Sequence, residues 1–112
     1  MERTDLAVVL CTVPDKEAGR RLAWLLVEEK LAACVNIVDR VTSVYRWQGA
    51  IQEDEEYLLI IKTRWDRFDK LRDQIVEAHP YDVPEIVAIP VVGVHEPYGA
   101  WLSSSTSLDE DT

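Results

Sequence analysis

Leu6–Val13 opens the patterned part of the chain with L-A-V-V-L-C-T-V, a short β-rich block without clean alternation. Such a block predicts a central strand covered on both faces. Pro14 and Asp15 end it. Asp15 is placed to cap a helix, and Glu17 falls in the first turn, where the helix dipole favours an acid. Ala18, Leu22, Leu25 and Leu26 then recur at helical spacing, and Trp24, Val27 and Leu31 widen the stripe. The helix is predicted to end near Lys30. Cys34–Trp47 is the longest β-rich run. Val35 and Ile37 alternate with Asn36, the phase slips at Asp39 and Arg40, and alternation resumes at Val41, Ser43, Tyr45 and Trp47. A slip inside a long strand predicts a bulge. Gln48 and Gly49 read as a turn and 51–63 as the returning strand. Tyr57, Leu59 and Ile61 take one face of it; Glu56, Leu58, Ile60 and Lys62 take the other. Both arms of this hairpin exceed the ~5–6 residues usual for a strand.

A second amphipathic helix is predicted over 66–79, with Phe68, Leu71, Ile75 and Ala78 as its buried stripe and Pro80 as its stop. A fourth strand follows over 84–94, and Pro90 marks it as an edge. Residues 96–102 read as one or two helical turns with Tyr98, Trp101 and Leu102 facing inward. Residues 103–112 read as a flexible acidic tail. The order β-α-β-β-α-β with a short C-terminal helix defines an α+β, ferredoxin-like sandwich. Right-handed crossovers then give an antiparallel sheet of order 4-1-3-2. No composition shift divides the chain, so residues 1–112 are read as one domain.

Composition narrows the function. With 12 Lys+Arg against 21 Asp+Glu, the 112 residues carry a net charge of −9. That balance disfavours a nucleic-acid partner or an anionic membrane surface, both of which call for a basic face. No apolar run approaches the ~20 residues of a membrane span. The first apolar block is too short for a secretory signal, so a cytoplasmic location is expected. The two cysteines, Cys11 and Cys34, are too few for a disulfide scaffold and read as reduced core thiols. No nucleophile elbow, no phosphate-cradling Gly-rich loop and no Cys–His pair with an orienting partner is found, so no enzymatic activity is expected.

The predicted topology gathers unusual residues at one end of the sheet. Cys11 closes the first strand, His79 and Tyr81 follow the second helix, Glu85 opens the fourth strand, and 53–56 opens the third. A thiol with an imidazole suits copper or zinc better than magnesium or calcium. His79 reads either as a helix cap or as a ligand, Glu85 either as an exposed carboxylate or as a site residue. The run 53–56 reads as a solvated strand edge. Lys62 reads as a snorkelling lysine. Tyr45 and Trp47, on one face of an overlong hairpin, are expected to pack against another subunit.

Several of these residues form one pattern. Cys11 and Thr12 with Pro14 come first, then K-L-A-A-C-V-N from Lys30 to Asn36, then Ser43, Tyr45, Trp47 and Gly49. Glu56, Lys62 and Thr63 follow, then H-P-Y-x-x-P-E from His79 to Glu85, and finally Tyr98 and Trp101. Over about residues 7–102 the chain resembles the CutA family of divalent-cation tolerance proteins. The resemblance implies a homotrimer of the PII type, with the hairpin and Tyr45 and Trp47 at the subunit interface. It implies divalent-metal binding, copper ahead of zinc, in cation tolerance. The family's copper site uses a Cys and two adjacent His. Those positions are Cys11, Ala78 and His79 here, so one ligand is missing, and Glu85 or Glu56 is expected to replace it. The competing expectations are a PII-like trimer holding a small ligand and a structural adaptor with none.

Overall fold

The computed structural model describes residues 4–107. Four strands, β1 (Leu6–Val13), β2 (Cys34–Trp47), β3 (Ala50–Arg64) and β4 (Val87–Pro90), form one antiparallel sheet of order β2-β3-β1-β4. This is the predicted 4-1-3-2 arrangement. Helices α1 (Lys16–Glu28) and α2 (Phe68–Ala78) lie together on one face, and α3 (Glu96–Ser105) follows β4.

The core forms between those two helices and the sheet. Val9, Cys11 and Val13 of β1 and Leu59 and Ile61 of β3 meet Leu22 and Leu26 of α1 and Leu71 and Ile75 of α2. Register explains the selection. Val9 pairs with Ile61 and Cys11 with Leu59, so directly opposed residues point to the same side. The intervening residues, Val8, Leu10, Leu58 and Ile60, point to the other side and are only half-buried, because no helix covers them. Val87 and Ile89, paired with Leu10 and Val8, extend that bare apolar face.

Local chemistry sets the element ends. The Asp15 carboxylate accepts from the Ala18 backbone N–H at 2.8 Å, the predicted N-cap of α1. Asp15→Ala is expected to cost about 1 kcal/mol of stability, read from urea unfolding, by leaving that N–H without its acceptor. Gln48 and Gly49 form the hairpin turn at φ 52° and 80°, the left-handed pair that suits two twisted strands. The phase slip is a β-bulge: pairing shifts between Val38 and Val41, and Arg40 sits at φ 57°. Its effect is topographic. Before the bulge, Val35 and Ile37 oppose Ile61 and Leu59 on the helix side. After it, Val41, Ser43, Tyr45 and Trp47 oppose Glu56, Asp54, Gln52 and Ala50 on the other side.

Several sequence expectations are corrected. Trp24 and Val27 do not join the buried stripe of α1; Trp24 is 69% exposed. The second helix begins as a short 3-10 turn (Trp65–Arg67), and Ala78 at its end is exposed. The fourth strand keeps four residues, Val87–Pro90; Val91 still bonds Leu6 and Thr4 through its backbone, and the chain leaves the sheet after it. The C-terminal turn is a ten-residue helix, and of its three expected inward residues only Leu102 is buried. Tyr98 and Trp101 lie outside, packed on each other at 5.3 Å. Of the tail expected over 103–112, the first part belongs to this helix and its cap: Thr106 is fully buried and bonds the Leu102 carbonyl at 3.0 Å. Residues 108–112 lie outside the described residues. Among the described residues no helix is long and apolar enough to cross a membrane.

Candidate functional site

The expected end of the sheet does hold the unusual residues, but on two different faces. Cys11 shares its parity with Val9 and Val13 and is fully buried in the helix-side core. Its thiol makes one weak contact, donating to the Thr12 carbonyl at 3.8 Å. Burial first, then the nearby Glu85 and Glu56 charges, pushes this thiol from an ordinary 9.0 up to about 12, so it stays protonated at neutral pH. Glu56 and Thr12 have the opposite parity. With Glu85, Asp82, Val83, Tyr81, Ser43, Val44, Tyr45 and Trp47 they line an open cleft of about 600 Å3. Pairing with β3 beyond the bulge puts the aromatic arm of β2 on this side.

Glu56 reads from the sequence both as part of a solvated edge and as a replacement ligand; the solvated-edge reading fails, because it is only 7% exposed. The Tyr81 hydroxyl donates to its Oε2 at 2.9 Å, and no lysine or arginine pairs with it among the described residues. Burial and this bond hold the Tyr81 phenol well above its ordinary range. Tyr45 donates to Asp54 on the neighbouring strand and is raised chiefly by that bond. Two further carboxylates, Glu85 and Asp82, complete a cleft wall without basic residues.

His79 sits below the cleft, 7% exposed, immediately after α2. Its Nε2 bonds the Thr12 carbonyl at 2.7 Å, and its Nδ1 accepts the Tyr81 backbone N–H at 3.0 Å. The ring also packs on Tyr81 at 4.8 Å. His79 occupies the C-cap position of α2, but its ring bonds the Thr12 carbonyl of β1 rather than a carbonyl of the helix end. A copper triad through Cys11 and His79 does not fit this arrangement: the thiol is sealed in the core and both ring nitrogens are engaged. No group of three or more His, Cys, Asp or Glu side chains among the described residues is arranged to hold a metal ion.

The topology places Tyr81 at this end, but its bond to Glu56 has no sequence signal, and Asp82 and Ser43 are not expected as cleft residues. Lys62, far from the cleft, bonds Asn36 Oδ1 on the bare face, as a snorkelling lysine does.

The architecture is a ferredoxin-like sandwich whose second sheet face is covered by α3 only near Leu6 and whose outer hairpin is acidic and aromatic. The chain belongs to the CutA1 divalent ion tolerance protein family, whose model matches residues 7–105. It is 52% identical over 99 residues to the divalent-cation tolerance protein CutA of Thermus thermophilus, covering 88% of this chain and 96% of that one. It is also 52% identical over 99 residues to the chloroplastic protein CutA of Arabidopsis thaliana, where the match spans 88% of this chain but 54% of the relative. Among solved structures, CutA1 from Oryza sativa superposes with a TM-score of 0.91 at 50% identity, covering 96% of this chain and 98% of that one.

Proposed function

We propose that the protein is a non-enzymatic, cytoplasmic, homotrimeric divalent-cation-binding protein of cation tolerance, which takes its cation on the carboxylates of the cleft. The observation that carries this reading is Glu56, a carboxylate more than nine-tenths buried with a tyrosine hydroxyl as neighbour and no cationic partner among the described residues. A buried anion without a counter-charge is costly, and a cation entering the cleft removes that cost. Glu85, in the same wall, supplies a second oxygen donor. The net charge of −9 adds a general attraction for cations. Copper is the ion a thiol and imidazole favour, but the accessible donors here are oxygens, so harder divalent ions and zinc are served without rearrangement. The trimer is supported by the bare apolar face and by the outer hairpin, where Val44, Trp47 and Ile51 are exposed. In this assembly Tyr45 and Trp47 stand at the subunit boundary beside the cleft.

Titration calorimetry of zinc and copper(II) tests the site. Glu56→Gln and Glu85→Gln are each expected to weaken binding by about tenfold or more, in line with the loss of one charged ligand. Equal affinity in wild type and the double variant would remove the carboxylates from the site.

A further inference from the structure

We infer that His79 is a positioning residue, which sets the Glu56 carboxylate through Tyr81, and that neither His79 nor Cys11 is a metal ligand. The chain of contacts is continuous. Thr12 offers His79 a carbonyl, which only accepts, so Nε2 must carry the ring proton. Nδ1 then holds the ring's one lone pair, and the Tyr81 backbone N–H occupies it. That bond fixes the backbone of Tyr81, the ring contact fixes its side chain, and its hydroxyl ends on Glu56. The imidazole therefore has no donor left for an ion. Binding one would mean breaking either the tie to β1 or the tie to Tyr81 and exposing a ring that is 7% exposed.

Register excludes Cys11 independently. Cys11 opposes Leu59 and lies in the cluster under the helices, while Thr12, Leu58 and Glu56 lie on the opposite face of the sheet, where Thr12 and Glu56 line the cleft. A single ion in the cleft cannot reach the thiol without passing through the sheet. The H-P-Y sequence is thus a bracket. Pro80 stops the helix, His79 ties the stopped end to the last turn of β1, and Tyr81 carries the tie across to the opposite face. That the carboxylate so placed receives a cation rests on the function proposed above; the bracket itself does not.

Two-bond 1H–15N spectra of wild-type His79, recorded while zinc is added, test the inference directly. The expected result is the Nε2–H form with a hydrogen-bonded Nδ1, unchanged by zinc. An Nδ1–H form, or a metal-induced change at either ring nitrogen, would overturn it. In Cys34→Ser, which removes the half-buried second thiol, copper(II) is expected to give no thiolate charge-transfer absorption, and its appearance would overturn the Cys11 part. Among variants, His79→Asn, whose amide oxygen replaces the Nδ1 acceptor, is expected to retain the Tyr81 ring shifts that His79→Ala loses. Where zinc binds, affinity is expected to fall about 10–100-fold in His79→Ala and to recover in His79→Asn. Loss of binding in both with intact Tyr81 shifts would mark His79 as a ligand. If wild type binds no zinc at all, the cation reading fails while the ring tautomer and the Tyr81 shifts still decide the bracket.

Discussion

Ile61→Ala is expected to lower the unfolding free energy by about 2–5 kcal/mol, whereas its neighbour Ile60→Ala is expected to act mainly by weakening assembly. The two residues are chemically identical and adjacent in β3, so only the face differs. Ile61 is fully buried among Val9, Leu26 and Ile75, and truncation leaves a cavity that a close-packed core cannot collapse. A loss of that size is a large share of the ~5–15 kcal/mol that holds a domain together. Ile60 opposes Leu10 on the bare face and is half-buried in the protomer. If copies of the chain cover that face, removing three carbons there weakens assembly more than the fold. Both proteins are then expected to melt lower on dilution, as unfolding coupled to dissociation requires, with Ile60→Ala melting below wild type at every concentration. Sedimentation should show the Ile60→Ala trimer dissociating at higher concentrations than the wild-type trimer. Wild type that sediments as a monomer would refute the trimer. Ile60→Ala that assembles as tightly as wild type would take Ile60 out of the interface.

Alkaline pH provides the second large effect. Cys11 keeps its proton in the folded state up to about pH 12, while in the unfolded chain it is lost near 9.0. Between those values the unfolded chain binds fewer protons than the folded one, so stability falls as pH rises. The contribution is fully present below pH 9 and is lost by about pH 12, at roughly 1.4 kcal/mol per pH unit and on the order of 4 kcal/mol in all. The Tyr81 phenol, raised from 10.0 by burial and by its bond to Glu56, adds a fall of the same sign at higher pH. Urea unfolding at pH 8 to 11 should show the decline, and Cys11→Ala should flatten it whatever it does to stability at neutral pH. An unchanged slope in that variant would show that the thiol is not sealed in the core.

The sheet order, the helix cap and the bulge were legible because each has a local signature. Asp15 precedes an apolar repeat, a two-residue turn joins two long β-rich runs, and alternation changes phase at Asp39 and Arg40. The candidate site was legible by end but not by face. Topology alone gathers Cys11, His79, Glu56 and Glu85 at one edge. Whether they can meet depends on side-chain parity, and L-A-V-V-L-C-T-V hides parity because both of its faces are apolar. Pairing with β3 reveals it, since Leu59 and Leu58 alternate between core and cleft. His79 was ambiguous for a different reason. Its role depends on the Thr12 carbonyl, 67 residues away in sequence. Tyr98 and Trp101 were expected inside because they are large and aromatic, but a short C-terminal helix over a narrow sheet end buries one side chain, Leu102, and leaves the rest outside.

The bulge in β2 carries a consequence for how this chain tolerates change. Beyond Val38 the strand is written in a shifted frame, with odd-numbered residues facing the cleft where earlier odd-numbered residues face the core. Substituting Asp39 or Arg40 leaves that frame alone. Deleting either one closes the bulge instead of turning the strand over: Val38 stays opposite Leu58 and Val41 opposite Glu56, so Ser43, Tyr45 and Trp47 still face the acidic wall. What the extra residue supplies is the local bend and twist of the arm, so the set of cleft-facing side chains is robust to spelling errors and to omissions at this point, while the angle at which the arm carries them is not.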